Sequence, residues 1–72
     1  MNKFYAVKLL QDGIEVGYLG FDSEGEAVCV SIRSAAFYDV LEDVKYDANL
    51  FSTENPEYTT CVIVVEINEV AV

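Results

Sequence analysis

Seventy-two residues carry 13 Asp and Glu against four Lys and Arg and no His, a formal charge of −9, while 53% of the chain is hydrophobic. That apolar content argues against a disordered acidic segment, and the negative excess argues against direct binding to nucleic acid or to an anionic membrane. No run approaches the roughly 20 apolar residues that span a bilayer.

The opening MNKFYAVKLL breaks at Gln11 and Asp12 before it can serve as a signal peptide, so a cytoplasmic setting is expected. The length suits one small acidic domain over residues 1–72. A chain of this size buries only about 60% of the surface its unfolded form exposes, so a partner or a homodimer would add stability.

Lys3 to Leu10 and Ile14 to Phe21 are rich in aromatic and β-branched residues and flank Gln11-Asp12-Gly13. An Asp-Gly pair supplies the positive φ of a tight hairpin, which predicts two antiparallel strands. Asp22-Ser23-Glu24-Gly25-Glu26 reads as a solvated turn. Ala27 to Ile32 alternates as a third strand, with Val28, Val30 and Ile32 on one side.

Ser34 to Tyr46 fits two periods. Phe37, Val40, Leu41 and Val44 form a helical stripe, whereas Tyr38, Val40, Val44 and Tyr46 fit a strand. The helical reading is preferred, with Ser34 as N-cap and with Asp39, Glu42, Asp43 and Tyr46 opposite the apolar stripe. Asp47 to Tyr58 then reads as connector, since Pro56 interrupts helix or central strand. Thr59 to Val70 closes the chain as a long strand. Its centre, Cys61-Val62-Ile63-Val64-Val65, is apolar on both faces, the character of a strand with a neighbour on each side.

Catalysis finds no support. Without His, no nucleophile and base pair at a meaningful spacing, so no enzyme is expected. The turn from Asp22 fails the calcium-loop pattern, because Gly25 is fourth and the twelfth residue is Arg33. No cofactor and no metal are expected. Cys29 and Cys61 sit in apolar alternating runs and are expected to pack as small hydrophobes. Two or three of the five tyrosines should be core, with Tyr38 and Tyr46 partly exposed, and Arg33 should pair internally with a carboxylate.

Asp39, Glu42 and Asp43, extended by Tyr46, Asp47, Glu54 and Glu57, form the candidate partner-binding surface. Helical neighbours three or four apart lie about 5–6 Å from each other, and a nucleic-acid strand presents a charge about every 3.4 Å of axis. A rigid row of carboxylates on that scale suits a groove built for a phosphate backbone. The shortage of Lys and Arg strengthens the reading, since a surface serving solubility alone mixes both signs.

Lys3-Phe4-Tyr5-Ala6-Val7-Lys8, the hairpin into Gly17-Tyr18-Leu19-Gly20, Asp47-Ala48-Asn49-Leu50-Phe51-Ser52-Thr53 and Val64-Val65-Glu66-Ile67 together resemble small bacteriophage and prophage proteins. The resemblance covers about half the chain and carries no functional residue across. It implies a short acidic accessory product directed against host enzymes, of the kind represented by anti-CRISPR and other anti-defence inhibitors. These often act by stoichiometric binding, in the host cytoplasm. Where the related pattern continues as helix after Phe-Ser-Thr, Pro56 argues otherwise here.

The expected fold is α+β, an antiparallel sheet of about four strands with one short helix packed on one face; an all-β fold follows if Ser34 to Tyr46 is extended. The expected function is non-enzymatic inhibition of a basic, nucleic-acid-handling host protein by a nucleic-acid-mimicking surface. The alternative is a homo-oligomeric structural or adaptor domain that associates through a strand edge or an apolar sheet face.

Overall fold

The computed structural model describes residues 2–67. Four antiparallel strands, β1 (Asn2–Gln11), β2 (Ile14–Phe21), β3 (Ala27–Val30) and β4 (Thr59–Ile67), form one sheet in the order β3-β2-β1-β4. One helix, α1 (Leu41–Glu54), packs on one face, so the fold is α+β with a helix over a four-stranded antiparallel sheet, as expected.

Asp12 and Gly13 both adopt positive φ, 52° and 79°, and close the β1–β2 hairpin in the conformation that matches strand twist. A register shift between Leu9 and Leu10 places a bulge at its mouth. The second hairpin turns at Asp22, whose Oδ1 accepts from the backbone N–H groups of Glu24 and Glu26, each at 2.9 Å. Gly25 supplies the positive φ that completes that turn.

Alternation along β1 sets the two faces. Tyr5, Val7 and Leu9 point toward the helix, and their partners across β4 are Val64, Val62 and Thr60. Val7, Leu9, Leu19, Val44, Ala48 and Phe51 form the buried cluster, with Tyr5, Tyr38, Tyr58 and Val62 packed around it. Three tyrosines thus serve the core. Phe51 and Tyr58 meet at 5.4 Å between ring centroids. On the opposite face Ala6 is fully buried, and Phe4 stacks at a tilt against Phe37 at 6.2 Å.

The segment before the helix differs from the sequence expectation. Ser34 is not an N-cap: Ile32–Ser34 form one 3-10 turn, and residues 35–40 run extended. The N–H of Ala36 donates to the Leu19 carbonyl (3.0 Å), while Tyr38 and Tyr5 exchange backbone bonds of 2.7 and 2.8 Å. These long-range bonds satisfy backbone groups of β1 and β2 that the short β1–β2 ladder leaves free, and they override the local helical stripe.

Helix α1 therefore starts at Leu41, after Val40, and runs through the segment expected to be connector. Its end obeys Pro56. A residue before proline is driven from helical angles, and Asn55, at φ −131° and ψ 73°, caps the helix by donating both its backbone N–H and its Nδ2 to the Phe51 carbonyl.

Three further expectations change. The third strand ends at Val30 rather than Ile32. The fourth, expected to reach Val70 with neighbours on both sides, is described to Ile67 and pairs with β1 alone among the described residues; Asn68, Glu69 and Val70 lie outside them. Both cysteines are free thiols and exposed rather than packed as core, because β3 and β4 are the two edges of the sheet.

Candidate functional site: a carboxylate-lined helix flank

The buried residues Val44, Ala48 and Phe51 are spaced i, i+4, i+7 and define the inward direction of α1. At about 100° per residue, the remaining positions fall on three surfaces. Asp43, Asp47, Leu50 and Glu54 occupy one flank at i, i+4, i+7, i+11. Glu42, Tyr46, Asn49 and Thr53 point outward. Leu41, Lys45 and Ser52 occupy the other flank.

The acidic flank faces β2 and β3. Asp47, Leu50 and Glu54 line a shallow cleft with Leu19, Phe21, Ala27 and Phe51. Phe21 and Ala27 are the residues on either side of the turn Asp22–Glu26, so that acidic turn joins two residues of the cleft's lining. Asp47 and Glu54 are the carboxylates of this largely apolar trough, and Asp43 continues their row along the helix. The row from Asp43 to Glu54 extends about 16 Å along the helix axis.

Of the candidate residues read from the sequence, Asp43, Asp47 and Glu54 are brought together on this flank. Glu42 and Tyr46 project from the outer face, with Tyr46 68% exposed. Asp39 lies before the helix and lines a separate hollow with Lys3, Phe4, Tyr5 and Val64. It does not share a helix face with Glu42 and Asp43 as expected, because residues 35–40 are extended. Glu57 is exposed in the turn that follows the helix.

Asp47 is the one anchored member. Its Oδ2 accepts a 2.7 Å hydrogen bond from the Tyr38 hydroxyl. Burial first, and then this bond to a carboxylate, raise the Tyr38 phenol above its ordinary value, so it stays protonated and donating. Tyr38 is accordingly half-buried and structural.

The cations lie elsewhere. Lys8 pairs with Glu15 at 3.6 Å on the face away from the helix, where the Tyr18 hydroxyl also donates to Glu15 at 2.9 Å. The hydrogen bond to Glu15 is the main cause of the raised Tyr18 pKa. The internal ion pair expected for Arg33 is not found among the described residues.

What sequence reasoning missed is the apolar lining, Phe21, Ala27 and Leu50, and the nearness of the turn Asp22–Glu26 to it. The spacing Asp43, Asp47, Leu50, Glu54 was available as a signal, but only to a reading that began the helix near Leu41. Among the described residues no three His, Cys, Asp or Glu side chains are grouped to hold a metal ion, and no helix is long and apolar enough to cross a membrane.

The fold and flank define a small acidic α+β domain. No protein-family model matches the chain, and comparison with curated proteins and with solved structures gives no match.

Proposed function

We propose that this protein is a non-enzymatic inhibitor that binds the basic surface of a nucleic-acid-handling host protein and competes there with DNA or RNA. The observation that carries the reading is the flank Asp43, Asp47, Leu50, Glu54, of which Asp47, Leu50 and Glu54 line a cleft with Leu19, Phe21 and Ala27, next to the acidic turn Asp22–Glu26. Along the helix axis Asp43 and Asp47 stand about 6 Å apart and Asp47 and Glu54 about 10 Å apart, with Leu50 between them, which offers a cationic groove a rigid row of charge. Leu50 and Phe21, both exposed, add an apolar contact at the centre.

The resemblance to phage accessory proteins supports the same role, with a CRISPR or other defence effector as the type of target and the host cytoplasm as the place of action. Glu42, Tyr46 and Glu57 extend this surface beyond the cleft, while Asp39 stands apart in the hollow beside Val64.

The test combines capture with charge reversal. The tagged chain should retain one nucleic-acid-binding protein from a bacterial lysate, released by competing duplex DNA or by high salt. Asp43→Lys with Glu54→Lys should abolish capture while circular dichroism shows the fold intact. Retention of the partner by that folded double variant overturns the acidic-flank reading.

A further inference from the structure

Strand β4 combines a central-strand sequence with an edge position. Thr59–Ile67 reads TTCVIVVEI, nine residues with no Pro, no Lys and no bulge in its pairing with β1, and its one charge is Glu66. Natural edge strands are short, charged or interrupted, because a long unpaired edge templates association. The other edge, β3, follows that rule: it is four residues long and is flanked by the acidic turn and a 3-10 turn. Among the described residues no backbone hydrogen bond reaches the outer side of β4.

We infer that β4 pairs antiparallel with β4 of a second copy of this chain, across a two-fold axis through Ile63, to form a continuous eight-stranded sheet. Full overlap of Thr59–Ile67 puts Ile63 opposite itself, Val62 opposite Val64, Cys61 opposite Val65 and Thr60 opposite Glu66. A two-fold perpendicular to the sheet keeps each face on its own side, so apolar residues meet apolar residues on both faces. The two Glu66 carboxylates each face a threonine rather than each other, which avoids the cost of like charges directly opposite. Val64, 61% exposed on the helix side in the single chain, gains a Val62 neighbour.

Charge distribution selects the same edge. The flank of α1 that faces β2 and β3 carries Asp43, Asp47 and Glu54, whereas the opposite flank carries Leu41, Lys45 and Ser52 and no carboxylate. Helix α1 lies over β1 and β4. With strands about 4.8 Å apart, the two helices of the pair come to lie about 10 Å from each other, near the usual spacing of packed helices. Their facing flanks are then the acid-free ones. In a chain of charge −9 this keeps Asp43, Asp47 and Glu54 away from the seam, where the carboxylates are Glu66 and, in the hollow beside Val64, Asp39 with Lys3 next to it. The inference stands apart from the proposed inhibitory role, since the acidic cleft lies toward the opposite edge.

Sedimentation equilibrium of the full chain tests it. The expected species at micromolar concentration has twice the 8.0 kDa mass of the chain, and its dissociation constant falls as salt is added, because salt screens the repulsion between two acidic chains. Val64→Glu should give a folded monomer, since Val64 is already largely exposed, while Thr53→Glu on the outer helix face adds the same charge and leaves the dimer.

Register is tested by oxidation in a Cys29→Ser, Cys61→Ser background: Ile63→Cys should cross-link readily and Val64→Cys should not, because only residue 63 lies opposite itself within disulfide reach. A monomer at high micromolar concentration in added salt, a dimer that survives Val64→Glu, or cross-linking at position 64 in preference to 63 overturns the proposal.

Discussion

The hydroxyl of Tyr38 donates a 2.7 Å hydrogen bond to Oδ2 of Asp47, joining the extended connector to the second turn of the helix. The same Tyr38 exchanges two backbone bonds with Tyr5 of β1. One residue therefore links strand, connector and helix, and it holds a carboxylate of the acidic flank in a single orientation. Removing the hydroxyl while keeping the ring isolates that link. Tyr38→Phe should lower unfolding free energy by about 1–2 kcal/mol, measured by urea denaturation, a hydrogen bond to a charged group in a half-buried site being of that order.

Alkaline pH should act through the same pair. Burial and the bond to Asp47 raise the Tyr38 pKa in the folded state above the ordinary 10.0. The folded protein then holds this proton where the unfolded chain has lost it. The stabilisation is fully present below pH 10.0 and declines as pH rises above it toward the folded value. Wild type should lose stability between about pH 10 and 11.5 more steeply than Tyr38→Phe. Tyr18, whose shift has the same sign and whose hydroxyl is solvated, contributes a smaller part. Equal slopes in the two proteins would show that Tyr38 is not the titrating group.

Phe51 is the largest side chain that the helix contributes to the buried cluster, in contact with Tyr58. Phe51→Ala should cost about 3–5 kcal/mol. In a chain this small that is most of the total stability. The measurement is a thermal melt by circular dichroism, with loss of the cooperative transition or a large fall in Tm as the expected result.

Gly20 is required by a close approach. A Cβ at this position would lie 2.9 Å from the Ser34 carbonyl oxygen and 2.5 Å from Val30 Cγ2. The valine can move, but the backbone oxygen belongs to the 3-10 turn region that covers this face of the sheet. Gly20→Ala should therefore destabilise by about 1–3 kcal/mol by overpacking, whereas Gly13, with nothing near its Cβ site, is constrained by φ +79° alone. Urea midpoints of Gly20→Ala and wild type compare directly.

Ionic strength offers a global test of the charge imbalance. A chain of −9 whose one ion pair among the described residues is Lys8–Glu15 repels itself when compact. Raising salt from about 10 to 150 mM shortens the Debye length from about 30 to 8 Å, so Tm should rise. A fall in Tm would mean that attractive pairs dominate.

The strands were readable because their signals are local. Asp12-Gly13 sets the first hairpin through its own backbone preference, and alternation in Ile14–Phe21 needs no knowledge of neighbours. The acidic site was read in part. Asp43 was named from helical spacing and Asp47 and Glu54 as acids of a connector, and their common flank depended on a helix start that two strands decide from a distance. Residues 37–44 carry a helical stripe and a strand-like alternation at once, and Tyr38 satisfies the second because Tyr5 is there to pair with it.

Composition and periodicity determined that this chain folds, that three β-strands precede and one follows a single ambiguous stretch, that its surface is negative, and that its last described strand has the character of an interior one. These follow from the ratio of apolar to charged residues and from side-chain direction, which repeats every two residues in a strand and every 3.6 in a helix. Tertiary structure alone decided that residues 35–40 are extended, that the helix spans Leu41–Glu54, and that β4 stands at an edge while Asp43, Asp47 and Glu54 gather on the helix flank away from it. Those outcomes depend on backbone groups of β1 and β2 that must find partners far along the chain, and no local preference encodes where those partners lie.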